Sequence, residues 1–134
     1  MSKVLIDTNI FIYDLDRASS FHKQAKQIVE DPRVELYTTS KNISEFFAVC
    51  SKLGIKSKLA FDYFDDIILN TTILFPDYKS LNIFKKLLKD NNAKGNKVYD
   101  IEIVSIMLNN NINQIATLNT KDFKTINEVE IYKV

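Results

Sequence analysis

Short apolar runs alternate along the chain with longer stretches of helical periodicity. Five runs have the length of strands, at residues 4–6, 35–38, 71–75, 114–117 and 130–132. The stretches between them repeat apolar residues at spacings of three and four, which predicts helices covering residues 43–53, 59–67, 81–88 and 101–108. Strands separated by helices predict an α/β fold.

This alternation implies right-handed crossovers and a mainly parallel central sheet with helices on both faces, a three-layer α/β/α sandwich. The orientation of the last strand stays open. With 134 residues, 46% of them apolar, the chain has the size of one domain, so we expect a single domain over residues 1–134. Only two Gly and two Pro occur, and neither a linker nor a repeat predicts a boundary.

Composition narrows the class of protein. Nine Phe, six Tyr and 26% charged residues exclude a disordered or collagen-like chain and are typical of a soluble globular protein. Cys50 is the single cysteine, so no intramolecular disulfide can form and a reducing cytoplasm is the expected location. Three apolar residues before Asp7 are too few for a signal peptide or a membrane span, so we expect neither export nor a membrane.

The net charge of +1 does not by itself predict a polyanionic partner. Lysines do concentrate near two of the acidic positions discussed below, where a helix and a loop could contact phosphates. A solvated helix face explains them equally well. These lysines occupy positions 85, 86, 89, 94, 97, 121 and 124.

Acidic residues follow several strands at one predicted edge of the sheet. Asp7 directly follows the first strand, and Glu45 lies in the first turn of the helix after the second. Asn119 and Asp122 follow the fourth strand. Because strand-to-helix turns of a parallel sheet open onto its carboxyl edge, these residues should face one crevice. Asp100 precedes the helix at 101–108 and is expected at that helix's start.

Each acid also has a purely structural interpretation, since carboxylates near helix starts satisfy backbone N–H groups. Asp7 could be an N-cap, and Asn42 to Glu45 has the spacing of a capping box. Together, however, carboxylates facing one crevice raise one another's pKa unless a cation neutralises them. Without a Cys or His cluster the ligands would be oxygens, which favours Mg²⁺ or Mn²⁺ over structural Zn²⁺.

Four segments carry these acidic positions, and each is similar to one motif of a single family. They are Val4-Leu5-Ile6-Asp7-Thr8-Asn9-Ile10-Phe11, Ser44-Glu45-Phe46, Tyr99-Asp100-Ile101-Glu102-Ile103 and Ala116-Thr117-Leu118-Asn119-Thr120-Lys121-Asp122-Phe123. In this order they resemble the four motifs of the PIN-domain ribonucleases, particularly the toxins of VapBC toxin-antitoxin pairs. The likeness runs nearly end to end.

The resemblance implies a role for each matching residue. Asp7 and Asp100 would ligate Mg²⁺ or Mn²⁺ directly, and Glu45 and Asp122 would bind it through water or orient those waters, so these four form the expected catalytic set. The expected supporting residues are Thr8, Asn9, Thr117 and Asn119.

The fourth motif departs from the family pattern, because Asn119 stands at its first acidic position. We favour Asp122 as the fourth carboxylate and Asn119 as a hydrogen-bonding neighbour, and the choice between them stays open. So does the number of metal ions.

The resemblance further implies an endoribonuclease that serves as the toxin of a type II toxin-antitoxin pair, with RNA as substrate, a small antitoxin as partner and a homodimeric assembly. The apolar residues between 59 and 69 are a candidate partner surface, although core packing also explains them.

Two other functions compete with this interpretation. One is an inactive PIN-like module that binds RNA or protein, for which Asn119 is the main support. The other is a phosphoacceptor signalling domain with Asp77 as acceptor and Thr117 and Lys133 as partners. Asn9 stands where a dehalogenase-type phosphatase needs a second Asp, and the lack of a glycine-rich phosphate loop excludes an NTPase.

Overall fold

The computed structural model describes residues 1–133 and shows a five-stranded sheet between two layers of helices. The elements in chain order are β1 (Ser2–Ile6), α1 (Thr8–Leu15), α2 (His22–Val29), β2 (Val34–Thr39), α3 (Ser40–Lys52), α4 (Ser57–Asn70), β3 (Thr72–Leu74), α5 (Tyr78–Asp90), α6 (Lys97–Asn109), β4 (Gln114–Ala116), α7 (Thr120–Lys124) and β5 (Glu130–Ile131). The predicted α/β/α sandwich is confirmed. Within residues 1–133 no helix is long and apolar enough to cross a membrane.

The strand order is β3-β2-β1-β4-β5, and every neighbouring pair within residues 1–133 is parallel. Leu5 of β1 lies opposite Tyr37 on one side and Ile115 on the other, and Ile115 in turn lies opposite Ile131. The last strand, whose orientation the sequence leaves open, is therefore a parallel edge strand.

Helices α1 to α4 cover one face of the sheet, and α5 to α7 cover the other. Val4 and Ile6 pack with buried residues of α1 to α4, whereas Leu5 packs with buried residues of α5 to α7. This is the alternation expected of a strand buried on both faces, and all three residues are fully buried.

The order of the strands creates a crevice beside β1. The chain moves outward from β1 to β2 and β3, and then returns to begin β4 on the opposite side of β1. The loops that follow β1 and β4 consequently diverge at the carboxyl edge, the place where open α/β sheets bind their ligands.

Several helices end at a residue in the left-handed conformation, which stops the helix and turns the chain. Gly54 follows α3 with a φ of +71°, where a side chain would be strained. Asn92 and Asn111 do the same after α5 and α6, with φ of 46° and 60°. Asparagine takes the usual place of glycine here because it tolerates this conformation.

Two predicted helix starts are wrong, and both affect acidic residues. Helix α6 begins at Lys97, so Asp100 lies inside its first turn and does not precede the helix. Helix α3 begins at Ser40, so Glu45 lies in the second turn, and the capping box joins Thr39 to Asn42. Both errors arise because the polar first turn of each helix lacks the apolar periodicity used to place it.

Candidate active site

Asp7 lies at the crevice, because it is the first residue after β1. Its backbone N–H donates to the carbonyl of Ala116 at 3.0 Å, which continues the contact between β1 and the strand β4. Its side chain Oδ1 accepts from the backbone N–H of Thr8 at 2.9 Å, so Asp7 is the N-cap of α1. The cap and the candidate metal ligand are thus the same carboxylate.

Asp7 is only 6% exposed, and its carboxylate accepts four hydrogen bonds. Oδ1 accepts from Thr8 N at 2.9 Å and from Asn42 Nδ2 at 3.2 Å. Oδ2 accepts from Thr117 Oγ1 at 2.8 Å and from Asn9 Nδ2 at 3.3 Å. Four donors match the acceptor capacity of a carboxylate, so its orientation is fixed.

Asn9 and Thr117 also tie the loop after β4 to the start of α1. Asn9 Nδ2 donates to Thr117 Oγ1 at 3.2 Å, while Asn9 Oδ1 accepts from Leu118 N at 3.1 Å. Thr117 Oγ1 accepts a further bond from Asn119 N at 3.0 Å. The loop that carries Asn119 is held in place by the same side chains that bind Asp7.

Asn42 is a site residue that sequence reasoning missed. It is fully buried in the first turn of α3, where its Oδ1 accepts from Thr39 Oγ1 at 2.7 Å. Its Nδ2 donates to Asp7 Oδ1 at 3.2 Å and to Thr8 Oγ1 at 3.0 Å. The sequence predicted a capping box from Asn42 to Glu45, whereas the structure forms it between Thr39 and Asn42. The contact of Asn42 with Asp7 joins residues 35 positions apart and depends on the fold.

A cleft of about 410 Å³ opens beside Asp7. Its polar lining consists of Asp7, Thr8, Asn9, Asp16, Glu45, Asp100 and Asn119, and its other lining residues are Ile12, Tyr13, Val49, Leu53, Tyr99 and Ile103. The structure therefore brings three of the four expected carboxylates to one cleft. Asp16, at the end of α1, adds a carboxylate that sequence reasoning missed.

Two of these carboxylates are harder to ionise than ordinary aspartates. Burial raises the pKa of Asp7 from 3.8 to about 6, and the charges of Glu45 and Asp122 add to the increase. Burial likewise raises the pKa of Asp100 to about 6, together with the charges of Asp122, Asp7 and Glu45. The four acids therefore lie near enough to repel one another, and a divalent cation would relieve this repulsion.

Asp122 lies outside the cleft lining, although its charge reaches the cleft. It is exposed, in the first turn of the short helix α7. Lys97 joins α7 to α6 by donating from Nζ to the backbone carbonyl of Asp122 and, at 3.1 Å, to Thr125 Oγ1. Its ammonium also opposes the pKa increase that burial produces at Asp100. The side chain of Asn119 does not cap α7.

The donor set fits a hard divalent cation. Within residues 1–133 no three Asp, Glu, His or Cys side chains are grouped to hold a metal ion. Mg²⁺ needs no such group, because it keeps several waters and is usually bound by one or two carboxylates. Asp7 and Asp100 could supply these two ligands, and the oxygen-only set suits Mg²⁺ or Mn²⁺.

The phosphoacceptor alternative requires Asp77 and Thr117 in one site, and the fold does not join them. Asp77 follows β3 and Thr117 follows β4, and these strands are separated by β2 and β1, about 14 Å at the usual strand spacing. Asp77 is the N-cap of α5, where Oδ1 accepts from Ser80 N at 2.8 Å. The hydroxyl of Thr117 donates to Asp7 instead.

The parallel sheet and the acidic cleft at its switch point define an α/β protein with a candidate site at the carboxyl edge of its strands. The family model described as PIN domain matches residues 4–129, a range that includes all four acidic positions. The chain belongs to the PIN domain family. A comparison with curated protein sequences gives no match.

Solved structures that share the fold include proteins of toxin-antitoxin systems. VapBC2 from Rickettsia felis, solved bound to a DNA fragment from its promoter, aligns with a TM-score of 0.72 at 19% identity, over 97% of each chain. A toxin-antitoxin complex from Klebsiella pneumoniae gives 0.70 at 21% identity, over 98% of this chain and 99% of the other. VapC20 from Mycobacterium tuberculosis, described as a sarcin-ricin loop cleaving toxin, gives 0.71 at 13% identity, over 95% and 98%. At these identities the likeness is one of fold.

Proposed function

We propose that this protein is a metal-dependent endoribonuclease and the toxin of a type II toxin-antitoxin pair. The observation that carries the proposal is the meeting of Asp7, Glu45 and Asp100 at one cleft. Burial, together with the charges of neighbouring acids that include Asp122, raises the pKa of Asp7 and Asp100. Membership of the PIN family supports the nuclease class. The fold shared with VapBC proteins supports the toxin role.

Asp7 and Asp100 are the proposed direct ligands of Mg²⁺ or Mn²⁺, with Glu45 and Asp122 acting through water. For Asp7 to ligate a cation, one of its four hydrogen bonds must yield. The bond from Asn9 is the longest, at 3.3 Å, and its loss costs little because the same amide keeps its bond to Thr117 at 3.2 Å.

When bound, the ion supplies an activated water and offsets charge on the phosphate and the leaving oxygen. The chain's own residues hold the reacting groups in position. The hydrogen bonds around Asp7 fix the orientation of one proposed ligand, and the bond from Lys97 Nζ to the carbonyl of Asp122 holds α7 beside α6. No histidine lines the cleft within residues 1–133, so a carboxylate is the available base. Glu45, which is exposed at the cleft, is the proposed group.

The proposed partners are RNA, an antitoxin and a second copy of the chain, in the cytoplasm. Helix α4 supports a protein partner, because several of its apolar side chains remain in solvent after core packing. Leu59, Phe61 and Leu69 are 51%, 59% and 80% exposed. Burying such a surface is favourable, which makes α4 the proposed site for the antitoxin or the second copy.

The test is RNA cleavage by protein that has been unfolded and refolded to remove any partner. A mixed panel of RNAs is incubated with Mg²⁺, Mn²⁺ or EDTA. We expect cleavage only with metal, and a loss of roughly a thousandfold or more in Asp7→Asn and Asp100→Asn, since metal ligation contributes several kcal/mol to the transition state. The matched control is Asp77→Asn, which changes an N-cap aspartate outside the cleft and should leave the rate unchanged.

Cleavage that persists in EDTA, or in both cleft variants, would contradict the proposal. The second candidate is an inactive PIN-like module that binds RNA or protein, and two observations favour it. Asn119 replaces the expected acid, and within residues 1–133 three metal-binding side chains do not form a group. Wild-type protein that cuts no RNA, yet retards RNA in a gel as well as Asp7→Asn does, would support this candidate.

A further inference from the structure

We infer that the ring of Tyr99 stacks on an unpaired RNA base beside the scissile phosphate and thereby contributes to substrate binding at the cleft. This inference rests on the proposed nuclease function and adds to it a recognition residue.

Tyr99 lines the cleft and is still 65% exposed. It lies in the first turn of α6, directly before Asp100, so its ring stands at the rim next to a proposed metal ligand. Among the side chains of residues 1–133, the structure gives this ring neither an aromatic neighbour nor a hydrogen bond to its hydroxyl. A large aromatic surface is thus left open at the point where a phosphate would be held.

Tyr13, the second tyrosine that lines the cleft, already packs against another aromatic side chain. Tyr13 is half-buried, and its ring packs against Phe21 with centroids 5.1 Å apart. Tyr13 therefore forms part of the wall. Tyr99 is the aromatic side chain whose face is available to a ligand.

The rest of the lining favours a base over a duplex. Aliphatic side chains cover one side of the cleft, namely Ile12, Val49, Leu53 and Ile103. Within residues 1–133 the lining contains carboxylates but neither Lys nor Arg. The described lining therefore offers no cation to the phosphates of a double helix, whose binding depends on such contacts. It can take a flat apolar base, since unpaired RNA bases stack on aromatic side chains.

The size of the cleft agrees with this occupant. Its volume of about 410 Å³ lies within the range of pockets that enclose a small molecule, and is far below the bulk of a helix of RNA. A single unstacked nucleotide could place its phosphate at the carboxylates and its base against the aliphatic side chains, so that it contacts both sides of the cleft. An apolar side chain of a protein partner could also fill the aliphatic part, and the experiment below separates the two.

The test uses two RNA hairpin libraries, one randomised in the loop and the other in the stem, with Mn²⁺ present. Cut sites are mapped by sequencing, and kcat and KM are then measured on one loop RNA that is cut. We expect cuts in loops, an increase in KM of about tenfold or more for Tyr99→Ala, the effect of one lost base stack, and a kcat that changes less. Tyr99→Phe keeps the ring and should restore the wild-type KM. Tyr78→Ala, which removes a tyrosine 85% exposed outside the cleft, is the matched control.

Three results would overturn the inference while the nuclease function stands: equal cutting of stems and loops, an unchanged KM in Tyr99→Ala, or Tyr99→Phe as impaired as Tyr99→Ala. An unchanged KM in Tyr99→Ala would favour a protein partner, and not RNA, as the ligand of Tyr99. Wild-type protein that cuts neither library nor any other RNA would overturn the proposed function and the inference together.

Discussion

Asp7 and Asp77 occupy the same local position, yet the environments of their carboxylates are opposite. Each follows a parallel strand and is the N-cap of the helix that begins at the next residue. The backbone N–H of Ser80 and the amide of Asn109 hold the pKa of Asp77 below its usual value. Burial and neighbouring acids raise the pKa of Asp7 to about 6.

Their places in the sheet explain the difference. Strand β3 lies at the edge, so Asp77 needs only to stabilise its own helix. Strand β1 lies between β2 and β4, so Asp7 is enclosed by the elements that carry Glu45 and Asp122. A carboxylate whose charged form is stabilised by its neighbours indicates a structural role. A carboxylate whose charged form is destabilised by burial and neighbouring acids indicates a functional one.

The largest difference in stability should be seen between variants at the third residue of α3, Asn42, and at the third residue of α5, Ser80. Asn42→Ala removes a capping-box partner and also the buried hydrogen bonds that Asn42 donates to Asp7 and Thr8, so we expect a loss of about 3 kcal/mol in the free energy of unfolding. Ser80→Ala removes only the box partner of Asp77, and we expect about 1 kcal/mol. Urea unfolding measures both. Equal losses would contradict the idea that Asn42 supports the site.

The second prediction concerns pH in the presence of EDTA. The pKa of Asp7 is about 6 in the folded protein, whereas an aspartate of the unfolded chain has the usual value of 3.8. Protonation of Asp7 therefore favours the folded protein. The stability that this group contributes is present near pH 4 and is lost as the pH rises through 6, by about 2–3 kcal/mol. The raised pKa of Asp100 acts in the same direction.

Asp7→Asn should lose the part of this pH dependence that Asp7 contributes and keep the part that Asp100 contributes. At neutral pH without metal it should be as stable as the wild type or more stable. Thermal melts between about pH 4 and pH 7 compare it with Asp77→Asn, which should keep the wild-type slope. A clearly lower melting temperature for Asp7→Asn at neutral pH would mean that the N-cap role of Asp7 outweighs its repulsion.

The smallest effect is expected at the cap outside the site. Asp77→Ala should lower the free energy of unfolding by about 1 kcal/mol at neutral pH, because it removes the side chain that caps α5. Its pKa is lowered, so the contribution of Asp77 should persist at neutral pH and disappear only in acid. Urea unfolding at neutral and acid pH measures this, and an Asp77→Ala variant as stable as the wild type would show that the cap is dispensable.

This comparison also shows what could be predicted from sequence. Apolar runs such as residues 4–6 located the strands, because a strand buried on both faces leaves a continuous apolar stretch. Only the resemblance of residues 4–11 to a family motif singled out Asp7 in the sequence. Local structure does not distinguish Asp7 from Asp77, because both follow a strand and cap a helix, and their different environments depend on the strand order. The role of Asn42 was missed for the same reason, since its contact with Asp7 exists only after β1 and β2 have paired.

Helix starts were the other weak point. The first turn of α6 is polar except for Val98 and Tyr99, and its apolar periodicity begins at Ile101, so Asp100 was placed before the helix. That error did not hide Asp100, because its position in the motif, and not the helix boundary, identified it.

Binding of Mn²⁺ to the refolded, partner-free protein at a pH above 7 tests the central claim most directly, by isothermal titration calorimetry of the wild type, Asp7→Asn, Asp100→Asn and Asp77→Asn. We predict saturable binding to the wild type and to Asp77→Asn, with affinity lowered by about a hundredfold or more in both cleft variants, a loss at least as large as that seen when an outer metal contact is removed. Equal binding by all four proteins would contradict the claim that Asp7 and Asp100 form a metal site.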